Sequence, residues 1–254
     1  MCLILFGHRA HPAYRLVVAA NRDEWFQRPT APAAFWADAP HVLAGRDLEA
    51  QGTWLGVTRT GRFAALTNFR DAESRRTDLP SRGALVRDFL TSDVGPEEYL
   101  RSLRDQARRY NGFSLLVADT RSVRYFSNRN GAARELPAGV YGLSNHLLDA
   151  PWPKVRTGKA RLAAHLEGNL SAERLLEILD DTHEASNDAL PRTGVSLEWE
   201  RQLSPLRILA GAYGTRSSTV VLVSAAGEIT FLERSFDPSG AESGVVRKRF
   251  RTTA

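Results

Sequence analysis

The chain contains one cysteine, a single methionine at its start and only three lysines in 254 residues. A lone cysteine excludes an intramolecular disulfide framework and any zinc cluster built on cysteines. A reducing cytoplasm is therefore the expected location. No apolar run approaches the ~18 residues that span a bilayer. "CLILF" at 2–6 is too short for a signal-peptide core and has no basic segment before it. No integral membrane segment is expected. Internal repeats, low-complexity stretches and flexible linkers are also lacking, so a single domain over residues 1–238 is expected.

Positive charge is present but not organised. The net charge is +5, and with lysine confined to Lys154, Lys159 and Lys248, the other 31 basic residues are arginine. They are scattered along the chain, without the stripe or recognition motif of a nucleic-acid binder. Nucleic acid is not an expected partner. The one dense cluster, "RKRFR" at 247–251, falls within residues 239–254, which are expected to be a basic, flexible tail.

Apolar runs come in pairs. "CLILF" and "YRLVVAA" flank a loop from Gly7 to Ala13, and "TWLGVTR" and "RFAALTN" flank Thr60-Gly61, a hairpin signal. "FSLLVAD" with "VRYFSN", and "SSTVVLVS" with "EITFLERSF", read the same way; "GVYGLSN" is a further strand. Helical periodicity marks 81–90, 96–110, 151–167 and 171–181, while 182–205 reads as irregular. Hairpins imply antiparallel sheets, and helices gathered in two blocks imply outer layers. The expected fold class is α+β, a four-layer αββα sandwich of two mainly antiparallel sheets.

Used as rulers, the hairpins place polar residues at strand ends. The first puts Cys2 opposite Ala19 or Ala20, with Asn21, Arg22 and Asp23 just beyond. The second puts Thr53 opposite Asn68. Asn145 closes its strand and Arg216 opens another. Such a rim supports a specific chemistry. Once Met1 is removed, Cys2 carries both a thiol nucleophile and an α-amine able to take its proton. A neighbouring arginine favours the thiolate, an aspartate orients the ammonium, and asparagine amides serve as oxyanion donors. A retained Met1 would replace that amine with an amide. The candidate catalytic residues are Cys2, Arg22, Asp23, Asn68 and Asn145. The candidate substrate contacts are Asn21, Glu24, Trp54, His146 and Arg216. No metal or required cofactor is implied.

"AANRDE" at 19–24, after a Met-Cys start, resembles the NRDE family, also called the transport and Golgi organisation family. "GRDLEAQGTWLGV", "GRFAALTNFRD", "GLSNHLLDAPWPKV" and "YGTRSSTVVLV" carry the resemblance to about Phe236. It implies a fold similar to the N-terminal-nucleophile (Ntn) hydrolases, with the cysteine amidases of the penicillin V acylase and bile-salt hydrolase type as nearest relatives. The implied function is hydrolysis of linear amide bonds in a small molecule. The alternative is a non-enzymatic carrier on the same scaffold for haem, a lipid or an acyl-CoA. In those amidases two residues separate the arginine from the aspartate; here Arg22 and Asp23 are adjacent. Neighbours on a strand point to opposite faces, so they cannot both face Cys2 unless the chain turns. Proline-flanked loops at 29–40 and 70–80 are expected to shape a pocket.

Overall fold

The computed structural model describes residues 2–72, 74, 76–131 and 133–253. In chain order the strands are β1 (Cys2–His11), β2 (Tyr14–Trp25), β3 (Thr30–Phe35), β4 (Val42–Asp47), β5 (Leu55–Thr58), β6 (Phe63–Asn68), β7 (Phe113–Ala118), β8 (Val123–Ser127), β9 (Ala133–Glu135), β10 (Gly139–Leu143), β11 (Leu209–Ala210), β12 (Tyr213–Ser224), β13 (Glu228–Phe236) and β14 (Glu242–Arg251). The α-helices are α1 (Gly83–Thr91), α2 (Pro96–Gln106), α3 (Pro153–Leu166), α4 (Ala172–Leu179) and α5 (Leu197–Gln202). One antiparallel sheet runs β10-β1-β2-β12-β13-β14, with β11 on β12; the other runs β3 to β9 in sequence order.

Period-two alternation builds the layers. Ile4, Phe6, Val18, Val221 and Phe231 of the first sheet meet Leu55, Val57, Leu116 and Tyr125 of the second in the central core. The opposite face of the first sheet, with Leu3, Leu5, Val17 and Ala19, packs on Leu162, Leu175 and Leu179 of α3 and α4. Ala64, Leu66 and Val117 of the second sheet pack on Val86, Phe89 and Leu100 of α1 and α2. The result is the αββα sandwich.

Five expectations fail. The segment Gly7–Ala13 is not a loop: β1 continues to His11 and turns at Pro12-Ala13, through a bulge at Arg9, whose φ is 47°. Its polar side chains disguise it, although His8 is buried with Nδ1 on the Leu136 carbonyl at 3.1 Å. The register therefore shifts, and Cys2 pairs with Arg22 rather than Ala19 or Ala20. In the second hairpin, Gly61 at φ 80° closes a three-residue turn, so Leu55 pairs with Ala65, and Asn68 pairs instead with Phe113 of β7. The pocket loop at 29–40 contains β3, and the irregular stretch before Pro205 contains α5.

The last correction concerns the basic tail. Residues 242–251 form β14, paired with β13 from Glu228↔Arg251 to Phe236↔Glu242. Val246 and Phe250 pack against the central core, while arginines and a lysine occupy an edge where charge blocks strand-on-strand association. Ending the chain at Pro238 would expose β13 and lose those two side chains, a cost of about 2–4 kcal/mol at ~25 cal/mol per Å². Thermal denaturation of the shortened chain should show a lower Tm than the full chain; equal values would mean that β14 contributes nothing.

Candidate active site

β1 begins at Cys2, opposite Arg22, while β2 and β12 stay paired as far as Trp25 and Tyr213, and at that step the packing changes character. Cys2 follows the parity of Ile4 and Phe6, so its thiol points between the two sheets. Directly opposed residues of an antiparallel pair share a face, so Arg22 points the same way. Its Nη1 donates to Thr30 Oγ1 of β3 at 3.2 Å, across the gap between the sheets. Asp23 follows the parity of Leu3 and lies on the helix side, where its Oδ1 accepts from Thr215 Oγ1 at 2.7 Å. Its backbone N–H donates to the Cys2 sulfur. Adjacent residues pointing to opposite faces therefore straddle the end of β1, and no turn is needed.

Cys2 opens onto a cavity of about 1220 Å³ between the ends of the two sheets. Arg22, Asp23, Glu24, Trp54, Asn68, Asn145 and Arg216 line it as well, so eight of the ten expected residues share one wall. The segments 29–40 and 70–80 both contribute, through Thr30 to Pro32 and through Arg70 and its neighbours. An aromatic cluster stands at one side: Trp25 lies 5.3 Å from Tyr213 and 6.4 Å from Trp199, ring centre to ring centre.

Two expected contacts lie elsewhere. Asn21 faces the helix layer, where its Nδ2 donates to the carbonyls of Leu179 at 3.0 Å and Leu206 at 2.8 Å, and its Oδ1 accepts from Ser218. It ties the sheet to α4. The His146 ring is packed between Phe69, 4.7 Å away, and Trp152, 5.7 Å away, outside the cavity lining. Asn145 is fully buried and partly committed: Nδ2 donates to the Asn68 carbonyl at 3.0 Å, leaving one amide hydrogen. Ser144 Oγ donates to the Cys2 carbonyl at 3.1 Å, and Thr67 Oγ1 to the Ser144 carbonyl, so β1, β6 and the end of β10 are clamped together at Cys2.

A buried group of charges behind Cys2 was not foreseen. Arg70 Nη1 and Glu200 Oε2 of α5 form an ion pair of 2.5 Å, both buried, and the Arg70 guanidinium lies 4.7 Å over the Trp152 ring. Lys154, in the first turn of α3 and 2% exposed, has Asp23, Arg70, Cys2 and Glu200 as charged neighbours. Burial pushes its ammonium down to about 8, with Asp23 acting in the opposite direction. Burial also raises the Asp23 carboxyl, opposed chiefly by Lys154. The Cys2 thiol is raised by burial and by Asp23, against the pull of the Asp23 N–H and Arg22. Lys154 had one visible signal: a rare lysine in an arginine chain, directly after "PWP" at a helix start.

The family model described as Transport and Golgi organisation 2 matches residues 1–238, and the chain belongs to this family. It is 38% identical to the Bos taurus protein named Transport and Golgi organization protein 2 homolog, covering 96% of this chain and 97% of that one. It is 33% identical to the Drosophila melanogaster Transport and Golgi organization protein 2, over 94% and 95%. Among solved structures, a variant of conjugated bile acid hydrolase from Clostridium perfringens superposes with a TM-score of 0.54 at 10% identity, over 99% and 98% of the two chains. An N-acylethanolamine-hydrolyzing acid amidase ortholog from Caenorhabditis elegans gives 0.50 at 11% identity, over 87% and 92%. These likenesses establish the Ntn-hydrolase fold.

Asn21→Ala should cost about 2–5 kcal/mol by leaving two buried carbonyls unpaired, while the rate of Cys2 alkylation stays at the wild-type value. Urea denaturation and iodoacetamide labelling measure the two. In the chain that keeps Met1, labelling should rise with pH to a midpoint above the ordinary thiol value, because the buried thiol ionises late.

Proposed function

We propose that this member of the transport and Golgi organisation 2 family is a cysteine Ntn hydrolase acting on a linear amide bond. The observation that carries the reading is the head of β1. A thiol there opens into a large cavity, with Arg22 opposite it and Asp23 at its back. In this reading Met1 is removed and Cys2 becomes the N-terminus. Its α-amine takes the thiol proton, and the thiolate attacks the substrate carbonyl carbon. The oxyanion is met by the side-chain amide of Asn68, a residue of the cavity lining, and by the remaining Asn145 N–H. The C–N bond then breaks, the departing amine takes the proton from the α-ammonium, and a thioester is left on Cys2. Water, deprotonated by the same α-amine, releases the acid. Asp23 holds the α-ammonium, and the Arg22 cation favours the thiolate.

The aromatic wall of Trp25, Trp199 and Tyr213 suits an apolar acyl group, and Arg216, Glu24 and Trp54 are further polar and planar contacts that the cavity lining offers. A carrier for haem or lipid on the same scaffold has less to support it. The His146 ring lies outside the cavity lining, and His8 is bound to backbone carbonyls beside β9.

The intact mass of untagged protein should be lighter by one methionine, and that protein should release free amine from acyl amides. Cys2→Ala should abolish release without lowering Tm. Asn68→Ala should reduce kcat by roughly 10²–10³, the effect of losing one oxyanion donor. Met1 retained in the functional protein, or turnover surviving Cys2→Ala, would overturn the reading.

A further inference from the structure

Lys154 sits where three separate effects disfavour a cation. Its side chain is buried, and its Nζ has no hydrogen-bond partner among the described residues. It is the second residue of α3, at the positive end of that helix's dipole. Arg70, a second cation, is among its neighbours. A buried ammonium without direct partners is destabilising unless opposite charge compensates it. Of the opposite charges nearby, Glu200 is already bound to Arg70 and to the backbone and hydroxyl of Thr193. What remains is Asp23 on β2 and Cys2 on β1. Lys154 is not among the residues lining the cavity; it lies in the first turn of α3, on the helix side of the first sheet to which Asp23 points.

We infer that Lys154 is a positioning residue for the Cys2 nucleophile: from behind the head of β1, its ammonium holds Asp23 as a carboxylate and favours charge on the Cys2 sulfur. This rests on the cysteine-nucleophile reading above. A fixed cation at that place acts on both proton partners of the nucleophile. It stabilises the thiolate and disfavours the ammonium form of the α-amine, so the amine stays able to accept a proton. The groups facing it are Cys2 from β1, Asp23 from β2, Arg70 from the segment after β6 and Glu200 from α5. Lys154 acts on Asp23 more strongly than Arg70 does, and the Arg70 charge is shared with Glu200.

Two measurements test this without requiring any hydrolysis. The first is the pH profile of Cys2 alkylation by iodoacetamide in the full chain. Lys154→Met should move the midpoint upward by about one pH unit, which is about tenfold slower labelling at a fixed pH below it. Its Tm at pH 7 should fall, because the buried Asp23 carboxylate loses the cation that compensates it. A lysine that only packed would also lower the Tm but would leave the alkylation profile unchanged. The second is a lysine-selective NMR titration of the wild-type chain, in which three lysines give three side-chain signals. The Lys154 signal should titrate near pH 8, and Asp23→Asn should lower that midpoint. If Lys154→Met fails to fold, the titration alone decides. An alkylation profile unmoved by Lys154→Met, or a Lys154 midpoint indifferent to Asp23→Asn, would overturn the inference. Coupling without any amide hydrolysis would remove the enzymatic reading and leave Lys154 coupled to the thiol.

Discussion

Both faces of β1 are covered, one by the second sheet and the other by α3 and α4, and the site follows from that constraint. Leu3 and Leu5 serve the helix layer while Ile4 and Phe6 serve the centre, so the strand has no polar face to spare. The alternation ends at Cys2, the first residue with open space in front of it. Every polar group near that point must then be hydrogen-bonded or charge-compensated, since buried polar atoms are costly when left alone. Ser144, Thr67, Thr215 and Asn145 serve that need by clamping strand ends to one another.

The same constraint explains how adjacent residues share one function. Arg22 and Asp23 emerge on opposite faces of β2, as strand geometry demands. In mid-sheet they would belong to different cores. At the head of β1 they bracket Cys2, the cation from between the sheets and the carboxylate from the helix side. The helix layer then supplies Lys154, and the Arg70–Glu200 pair beside it joins the segment after β6 to α5.

Much of this was legible in the chain. Paired apolar runs and two blocks of helices led to the layers because hydrophobic period reports burial directly. Arg22, Asp23, Asn68, Asn145 and Arg216 could be found because polar residues at the ends of apolar strands have few places to go except a shared rim. The ruler that located them was imperfect. It took His8 to His11 for a loop, since imidazoles and an arginine look solvent-facing, and a bulge at Arg9 shifted the pairing. The tail misled for a similar reason: an edge strand is half exposed, so its alternation of Val246 and Phe250 with arginines reads as a solvated end.

The sequence by itself therefore determined the fold class and the family, because these rest on local periodicity and contiguous motifs. Only the tertiary structure decided which face each side chain took and which charges met. Asn21 and Asp23 share one face of β2, yet Asn21 is sealed under α4 while Asp23 reaches the cavity wall. Lys154, Arg70 and Glu200 lie far apart along the chain and meet through helix packing that no local pattern encodes. Burial and electrostatic coupling arise from that meeting, and so the role of each charge could be read only once the layers had closed.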